Sequence, residues 1–326
     1  MNMIQLATAG EALIDLIGQP DGRFEPCLGG AVFNLTRALA RQDIGTLYLN
    51  PLSADRFGRQ LAQALVDDGV SLACPEPVPQ STSLAVVALT ETGHPDYAFY
   101  REQVADRAVD AEGLIRACAA QGALRVVCTG ALALAAADAT SYLPWLHAQR
   151  VAGRLVVVDA NLRPSVMPDL AAYRRNVLEA LHTADIIKVS DEDLAYLDTP
   201  GDGPLARAQH LLAESSAQLL VLTLGGEGAC LLARDGRVWR GRESQPVPVV
   251  DTVGAGDCFL AGLLSALLRS GRGSTHDLRA LDDVACRHLL SHALASASLC
   301  VMQSGCVPPD WAQVCERVRQ VPARFA

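Results

Sequence analysis

The sequence predicts an α/β fold in three layers, a mainly parallel central sheet with helices on both faces, accompanied by a small β-strand lid. Three observations carry this. Short runs rich in Val, Ile and Leu recur along the chain, segments of helical spacing separate them, and small or polar residues stand at the end of each run. Runs that short and that apolar suit strands buried on both faces. Regular alternation with helices makes neighbouring strands parallel.

In chain order, the strand candidates are IQLATAG from Ile4, LRVVCTG from Leu124, RLVVVDAN from Arg154, DIIKVS from Asp185 and QLLVLTLG from Gln218. Helices are predicted at FNLTRALARQ from Phe33, RQLAQALVDD from Arg59, TSYLPWLHAQR from Thr140 and LARAQHLLAES from Leu205. The C-terminal third reads as mostly helical, with CFLAGLLSALLRS from Cys258 and ACRHLLSHALASASLCVM from Ala285. Two regions break the rhythm. Residues 12–28 and 83–101 read as lid segments forming a small antiparallel flap, and SLAVVALTETGHPDYAFY from Ser83 predicts two strands joined by a Gly-containing turn. No repeat, low-complexity tract or long linker interrupts the chain, whose length fits one large α/β domain or two smaller ones.

Composition bounds the function classes. Half of the residues are hydrophobic and 19% are charged, enough for a large core. A net charge of -9 and a pI near 5.2 argue against nucleic acid or anionic membrane as partner, since such surfaces concentrate Lys and Arg. The ten cysteines sit singly, without a CxxC pair, mostly in apolar runs such as those around Cys128 and Cys230. Free buried thiols act as small hydrophobes, so a reducing cytoplasm is expected. The N-terminus lacks the basic start of an export signal, and the later apolar stretches read as too short or too interrupted to span a bilayer. A soluble protein is expected.

In an open parallel sheet, ligands gather at the carboxyl ends of the strands. There the chain places Gly10 and Glu11, Thr129 and Gly130, Asp159 and Asn161, Ser190 and Asp191, Thr223 and Gly225. The sharpest segment is DTVGAGDCFLAGLLSALL, from Asp251 to Leu268. Small residues Gly254, Ala255 and Gly256 let the backbone turn tightly where a long apolar helix begins. Unpaired N–H groups at that start, reinforced by the helix dipole, suit an anion such as a phosphoryl group. Asp257 beside such an anion suits the base that takes a proton from an attacking alcohol. The plainer reading is that it caps the helix, and spacing alone leaves both open.

The string DTVGAGDCF resembles the second signature of the ribokinase-like (PfkB) family of carbohydrate kinases, and GGAVFNLTRALARQDIG from Gly29 is similar to its first. GEALIDLI around Glu11 and Asp15 looks like the family's first strand, TLGGEGA from Thr223 like its nucleotide-binding strand end, and KVSDEDL from Lys188 like its acidic, magnesium-linked motif. The resemblance covers nearly the whole chain and implies a single kinase domain over residues 1–326. It implies the ribokinase-like fold, ATP and Mg2+ as cofactors with K+ as a further candidate, and a small sugar as acceptor.

Carried over by residue, the resemblance makes Asp257 the base, with the amides of Gly254, Ala255, Gly256 and Asp257 stabilising charge on the transferred phosphoryl group. Asp15, Gly29, Gly30 and Asn34 would hold the sugar. Asn161 and Arg163, in DANLRP, would face the phosphates or the sugar's far end. Lys188, Ser190, Thr223, Gly225, Gly228 and His292 are the nucleotide-side candidates. Asp193 would reach magnesium through water, and Asp251 would help hold a monovalent cation. Read without the resemblance, Asp15, Gly30 and Asn34 are a strand-end cap, a tight turn and a helix cap.

The chain also departs from the pattern. Ser190 to Asp193 stands where the family's acidic motif runs from Asn to Glu, Pro51 and Ser53 alter the strand end NPLSADRFG, and Ser291, His292 and Ala293 replace a common Ala-Asn-Ala run. His288 and His292, one helical turn apart, lack the intervening Glu of a zinc motif.

DYAFYREQVADRAVD from Asp96 resembles the fructokinase pattern within the family, which favours fructose. Arg101 suits a sugar oxygen or an acceptor carboxylate, so 2-keto-3-deoxygluconate is the nearest rival, followed by ribose or a nucleoside. Ala31 and Val32 stand where a Lys would meet a phosphorylated acceptor. Outside this class, no GxGxxG turn follows the first strand, and no GxxxxGK[ST], HRD or DFG string exists. A non-catalytic sugar sensor is the remaining alternative, against which the intact Asp257 turn argues. A homodimer is expected, because lid strands leave edges to be covered.

Overall fold

The computed structural model describes residues 3–19, 21–89 and 95–326. The strands are β1 (Leu6–Thr8), β2 (Leu13–Gly18), β3 (Phe24–Gly29), β4 (Thr46–Tyr48), β5 (Ser71–Leu72), β6 (Ser83–Leu89), β7 (Pro95–Tyr100), β8 (Val126–Gly130), β9 (Leu155–Asp159), β10 (Ile186–Ser190), β11 (Leu219–Thr223), β12 (Ala229–Ala233), β13 (Val238–Arg242) and β14 (Arg324–Phe325). Seven of them pair in parallel in the order β5, β4, β1, β8, β9, β10, β11, and β12, β13 and β14 extend that sheet antiparallel. All five apolar runs predicted as buried strands are strands of this sheet.

The helices are α1 (Ala31–Arg41), α2 (Arg56–Asp67), α3 (Ala111–Ala119), α4 (Ala139–Val151), α5 (Leu170–Thr183), α6 (Asp191–Tyr196), α7 (Pro204–Glu214), α8 (Ala255–Arg269), α9 (Thr275–Arg279), α10 (Asp283–Val301) and α11 (Trp311–Gln320). They form two layers because alternate strand residues face opposite sides. Val126, Cys128, Leu155 and Val157 pack with α1, α8 and α10. Val127, Val156 and Val158 pack with α3, α4 and α5. Both faces of each central strand are therefore buried, which is why the runs are mostly apolar.

The core is closest where α8 meets α10. A Cβ on Gly262 would fall 2.5 Å from the carbonyl oxygen of His292, so glycine lets the two backbones approach. Contrary to the expectation that every apolar stretch is short or interrupted, α10 is a continuous helix of 19 residues, long and apolar enough to cross a membrane by length and composition. Its residues Cys286, Leu289, Leu290 and Ala293 are buried in the core instead.

The two lid segments form a separate four-stranded sheet in the order β3, β2, β6, β7. It consists of two antiparallel pairs, β2 with β3 and β6 with β7, joined through a parallel β2–β6 pairing. Leu13, Ala85 and Leu132 seat it on the rest of the molecule. The Gly-containing turn expected between β6 and β7 lies outside the described residues. Asp15 belongs to this sheet, on β2 within the expected lid segment 12–28, and the first strand of the main sheet ends before it at Thr8.

Candidate active site

Asn34, Asp159, Lys188 and Asp257 come together where the carboxyl ends of β9 and β10 meet the first turns of α1 and α8. Helix α8 starts from Gly254, at φ 76°, and no side chain caps it. The turn requires small residues: a Cβ at Gly254 would lie 2.2 Å from Sγ of Cys306, and one at Gly256 would lie 3.2 Å from Nζ of Lys188. The Ala255 amide is spent on the Thr252 carbonyl at 3.2 Å, which removes it from the expected set of free donors. The N–H groups of Gly256 and Asp257 take no acceptor among the described residues, and so remain available to an anion.

Asp257 does not cap its helix. Its Oδ2 accepts from Nδ2 of Asn34, in the first signature segment, at 3.0 Å, and the carboxylate is buried. Burial and the nearby Asp159 push it up to about 7, although the Asn34 bond, Lys188 and Arg163 pull the other way. A carboxylate with that affinity for a proton is tuned to exchange one near neutral pH. Asn34 keeps its buried Oδ1 without a partner.

Lys188 and Asp159 form the ion pair beneath. Both carboxylate oxygens of Asp159 lie 2.8 Å from the Lys188 ammonium, and both residues are buried. Burial raises the Asp159 carboxyl even against the lysine's pull. The same burial opposes the charge on Lys188, but Asp159, Asp193 and Asp257 outweigh it and raise the ammonium above its ordinary value. Sequence reasoning named Lys188 for the nucleotide and left Asp159 as one strand-end acid among several. Only the register of β9 against β10, with Lys188 opposite Asp159, pairs them.

On the lid side, Asp15 and Gly29 are made for one another. A Cβ on Gly29 would stand 2.0 Å from Oδ2 of Asp15, so the glycine keeps room for that carboxylate. Burial pushes Asp15 up to about 6, with Arg163 acting in the opposite sense. Gly30 turns at φ 104° to start α1, and a Cβ there would come 2.8 Å from the Glu11 carbonyl. Arg163 sends Nη1 to the carbonyl and side-chain oxygens of Asn161 and the carbonyl of Leu162. Its charge reaches Asp15, Asp159 and Asp257.

Other candidates have local duties. Arg101 donates to Asp106 and the Leu132 carbonyl, both at 3.3 Å, which leaves only its buried Nε without a partner. Asp193 and Ser190 form a capping box at the start of α6, and the second Asp193 oxygen accepts from the Leu162 amide at 2.8 Å. Each Asp193 oxygen already holds one backbone donor, so the expected magnesium-bound water would have to reach its remaining lone pairs. Asp251 accepts from the amides of Val253 and Gly305, bracing the segment before α8 against the loop after α10.

Thr223 ends β11, and the following turn uses Gly225 at φ 55° and Gly228 at φ 96°, where a Cβ would lie 2.2 Å from the Gly241 carbonyl. Gly225 has open space on its Cβ side. His292 is not an open adenine-side ring. It is buried, stacked on Trp311 with centroids 5.0 Å apart. Arg269 lies over the same Trp311 at the end of α8 remote from Asp257, roughly 18 Å along the helix by its rise per residue.

The sequence reading passed over three features. Glu11 is buried, accepts the Ala31 amide at the start of α1, leaves Oε2 unpaired and is pushed up to about 7 by burial, against the nearby Arg101. Asn50 ties Gly10, Asp106 and Tyr142 together. Cys258, Cys300 and Cys306 bring their sulfurs within 4.8 Å of one another. Glu11 carried a signal, its place after a strand; the other two depend on contacts across the fold.

A family model described as pfkB family carbohydrate kinase matches residues 3–313. The chain is 33% identical over 283 residues to a fructokinase of Rhizobium leguminosarum bv. trifolii, covering 86% of this chain and 84% of the relative. Its fold is similar to that of a fructokinase from Xylella fastidiosa with bound ATP, at a TM-score of 0.82 and 25% identity, covering 97% and 98% of the two chains. A fructokinase from Vibrio cholerae O395 with fructose, ADP and calcium ion bound is similar at a TM-score of 0.78 and 25% identity, over 96% and 98%.

Proposed function

This chain belongs to the pfkB family of carbohydrate kinases, and from that premise we propose that it is a fructokinase, transferring the terminal phosphoryl group of ATP to a hydroxyl of fructose. The single observation that carries the reading is the buried Asn34–Asp257 hydrogen bond beside the open amides of Gly256 and Asp257. It puts a carboxylate tuned near neutrality next to an anion-binding turn.

In this reading Asp257 accepts the hydroxyl proton as oxygen attacks phosphorus in line, and the Gly256 and Asp257 amides stabilise the charge that grows on the phosphoryl oxygens. Asp15, in the room left by Gly29, and Asn34 hold sugar hydroxyls, and Gly30 sets the turn between them. Arg163 stands where charge of the sugar site and of the phosphates meets. Asn161 fixes its guanidinium. Thr223, Gly225 and Gly228 border the nucleotide.

The small sheet closes over the sugar and excludes water, and the whole chain works as one kinase domain. Mg2+ enters with the nucleotide's own phosphates, and K+ near Asp251 is the second cation. The commitment of Arg101 to Asp106 supports a neutral acceptor over one with a carboxylate. The edges of β3 and β7, each paired on one side only, support a homodimer. Ten free thiols support a reducing, cytoplasmic setting.

An ADP-release assay against fructose, 2-keto-3-deoxygluconate, ribose and nucleosides tests the reading. Fructose is expected to give the highest kcat/KM. A higher value with any of the others rejects the assignment of acceptor.

A further inference from the structure

Three cysteines that the proposed reaction does not use meet directly beneath the Gly254 turn. Cys258 lies on α8, Cys300 on α10 and Cys306 in the loop that follows. Their sulfurs all lie within 4.8 Å of one another, with Cys258 and Cys300 buried and Cys306 partly exposed. A solitary buried thiol fills space as a small hydrophobe. Three sulfurs pointed at one another from three segments do more, since they enclose a point that each can reach. Nothing in their sequence spacing resembles a zinc motif.

Thiolate sulfur selects soft cations such as zinc and its heavier relatives. With metal–sulfur bonds of about 2.3 Å, three sulfurs around one ion stand ~4 Å apart, so the cluster needs only a small contraction to close on a cation. Cys306 is the most exposed of the three. The surroundings tie the cluster to the turn: Cys306 fills the space a side chain at Gly254 would need, and Cys300 lies 3.5 Å from the Val253 carbonyl.

We propose that Cys258, Cys300 and Cys306 form a three-thiolate site for one thiophilic closed-shell cation of the zinc and cadmium class. Binding displaces the thiol protons into the buffer, and the cation binds more tightly as pH rises. Because an unfolded chain offers no such preformed triad, occupancy raises the melting temperature.

Cadmium is the probe, since cadmium–thiolate coordination absorbs in the ultraviolet and needs no activity measurement. The reduced full-length protein is titrated with Cd2+, with thermal melts in parallel. One equivalent is expected to saturate the charge-transfer absorption and raise the melt. Cys306→Ser, at the partly exposed position, weakens binding at least tenfold, whereas Cys74→Ser, at an exposed cysteine outside the cluster, leaves the titration unchanged. Absence of the absorption at one equivalent in the native protein overturns the proposal without any variant. So does an unaltered titration in Cys306→Ser.

Discussion

Nδ2 of Asn34 donates to Oδ2 of Asp257 across 3.0 Å, joining two segments 223 positions apart in the chain. The bond orients the carboxylate and draws its affinity for protons down against burial and Asp159. Five expectations follow from this arrangement and its surroundings.

Asp257→Asn keeps the shape and removes the base. The expected loss in kcat is about 10²–10⁴-fold, with the KM values for sugar and ATP nearly unchanged. Stability moves the other way. The folded chain holds the Asp257 proton more tightly than an ordinary aspartate at 3.8, so the cost of the buried charge is absent at low pH, grows through the interval up to about 7 and is complete above it. Asp257→Asn is therefore more stable than the parent, by about 1–3 kcal/mol at pH 8 and by less at pH 5. Steady-state kinetics and calorimetry at the two pH values check both parts.

The pH profile of kcat/KM for the sugar falls as pH drops through about 7, because Asp257 must be ionised to accept a proton. Asn34→Ala removes a donor that favours the ionised form, so the acidic limb moves to higher pH. A limb that stays in place in Asn34→Ala disconnects the two residues.

Lys188→Met strands the buried Asp159 carboxylate. Removing one partner of such a pair costs about 3–5 kcal/mol, and Lys188→Met combined with Asp159→Asn recovers most of it. Denaturant unfolding of the two single variants and the double variant measures the recovery.

Asp193→Ala loses two backbone donors' acceptor, one in the capping box of α6 and one from Leu162. About 1–3 kcal/mol of stability is lost, while the Mg2+ concentration for half-maximal activity stays the same. A large rise in that concentration would make Asp193 a metal residue after all.

Gly29→Ala drives a methyl into Oδ2 of Asp15. The KM for the sugar rises about tenfold, the equivalent of one lost hydrogen bond, with the KM for ATP unchanged. Initial-rate kinetics with each substrate varied in turn separates the two constants.

The buried strands of the main sheet were legible because a strand covered on both faces is mostly apolar, and β8 to β11 are, with Lys188 and the polar residues at their carboxyl ends as the exceptions. Helices α1, α2, α4 and α7 announced themselves through periodicity while α5 (Leu170–Thr183) went unread, and the glycine turn before Asp257 showed through a motif whose spacing already encodes its geometry. The strand IQLATAG and the lid segment from residue 12 read as separate, and the chain does leave the main sheet after Thr8 and enter the lid at Leu13, carrying Asp15 with it. His292 misled: a polar residue midway along an apolar helix gave no sign that Trp311, from the next helix, would cover it.

What the sequence determined by itself was local, namely strand runs, helix faces and a small-residue turn, because these depend on neighbours within a few residues. The tertiary structure alone decided which acid shares which lysine, that Asn34 meets Asp257, that Gly29 makes way for Asp15 and that three scattered cysteines meet. Proton affinity follows burial and the charges of residues distant in the chain, and those distances exist only after the sheet has set its register and the helices have closed over it.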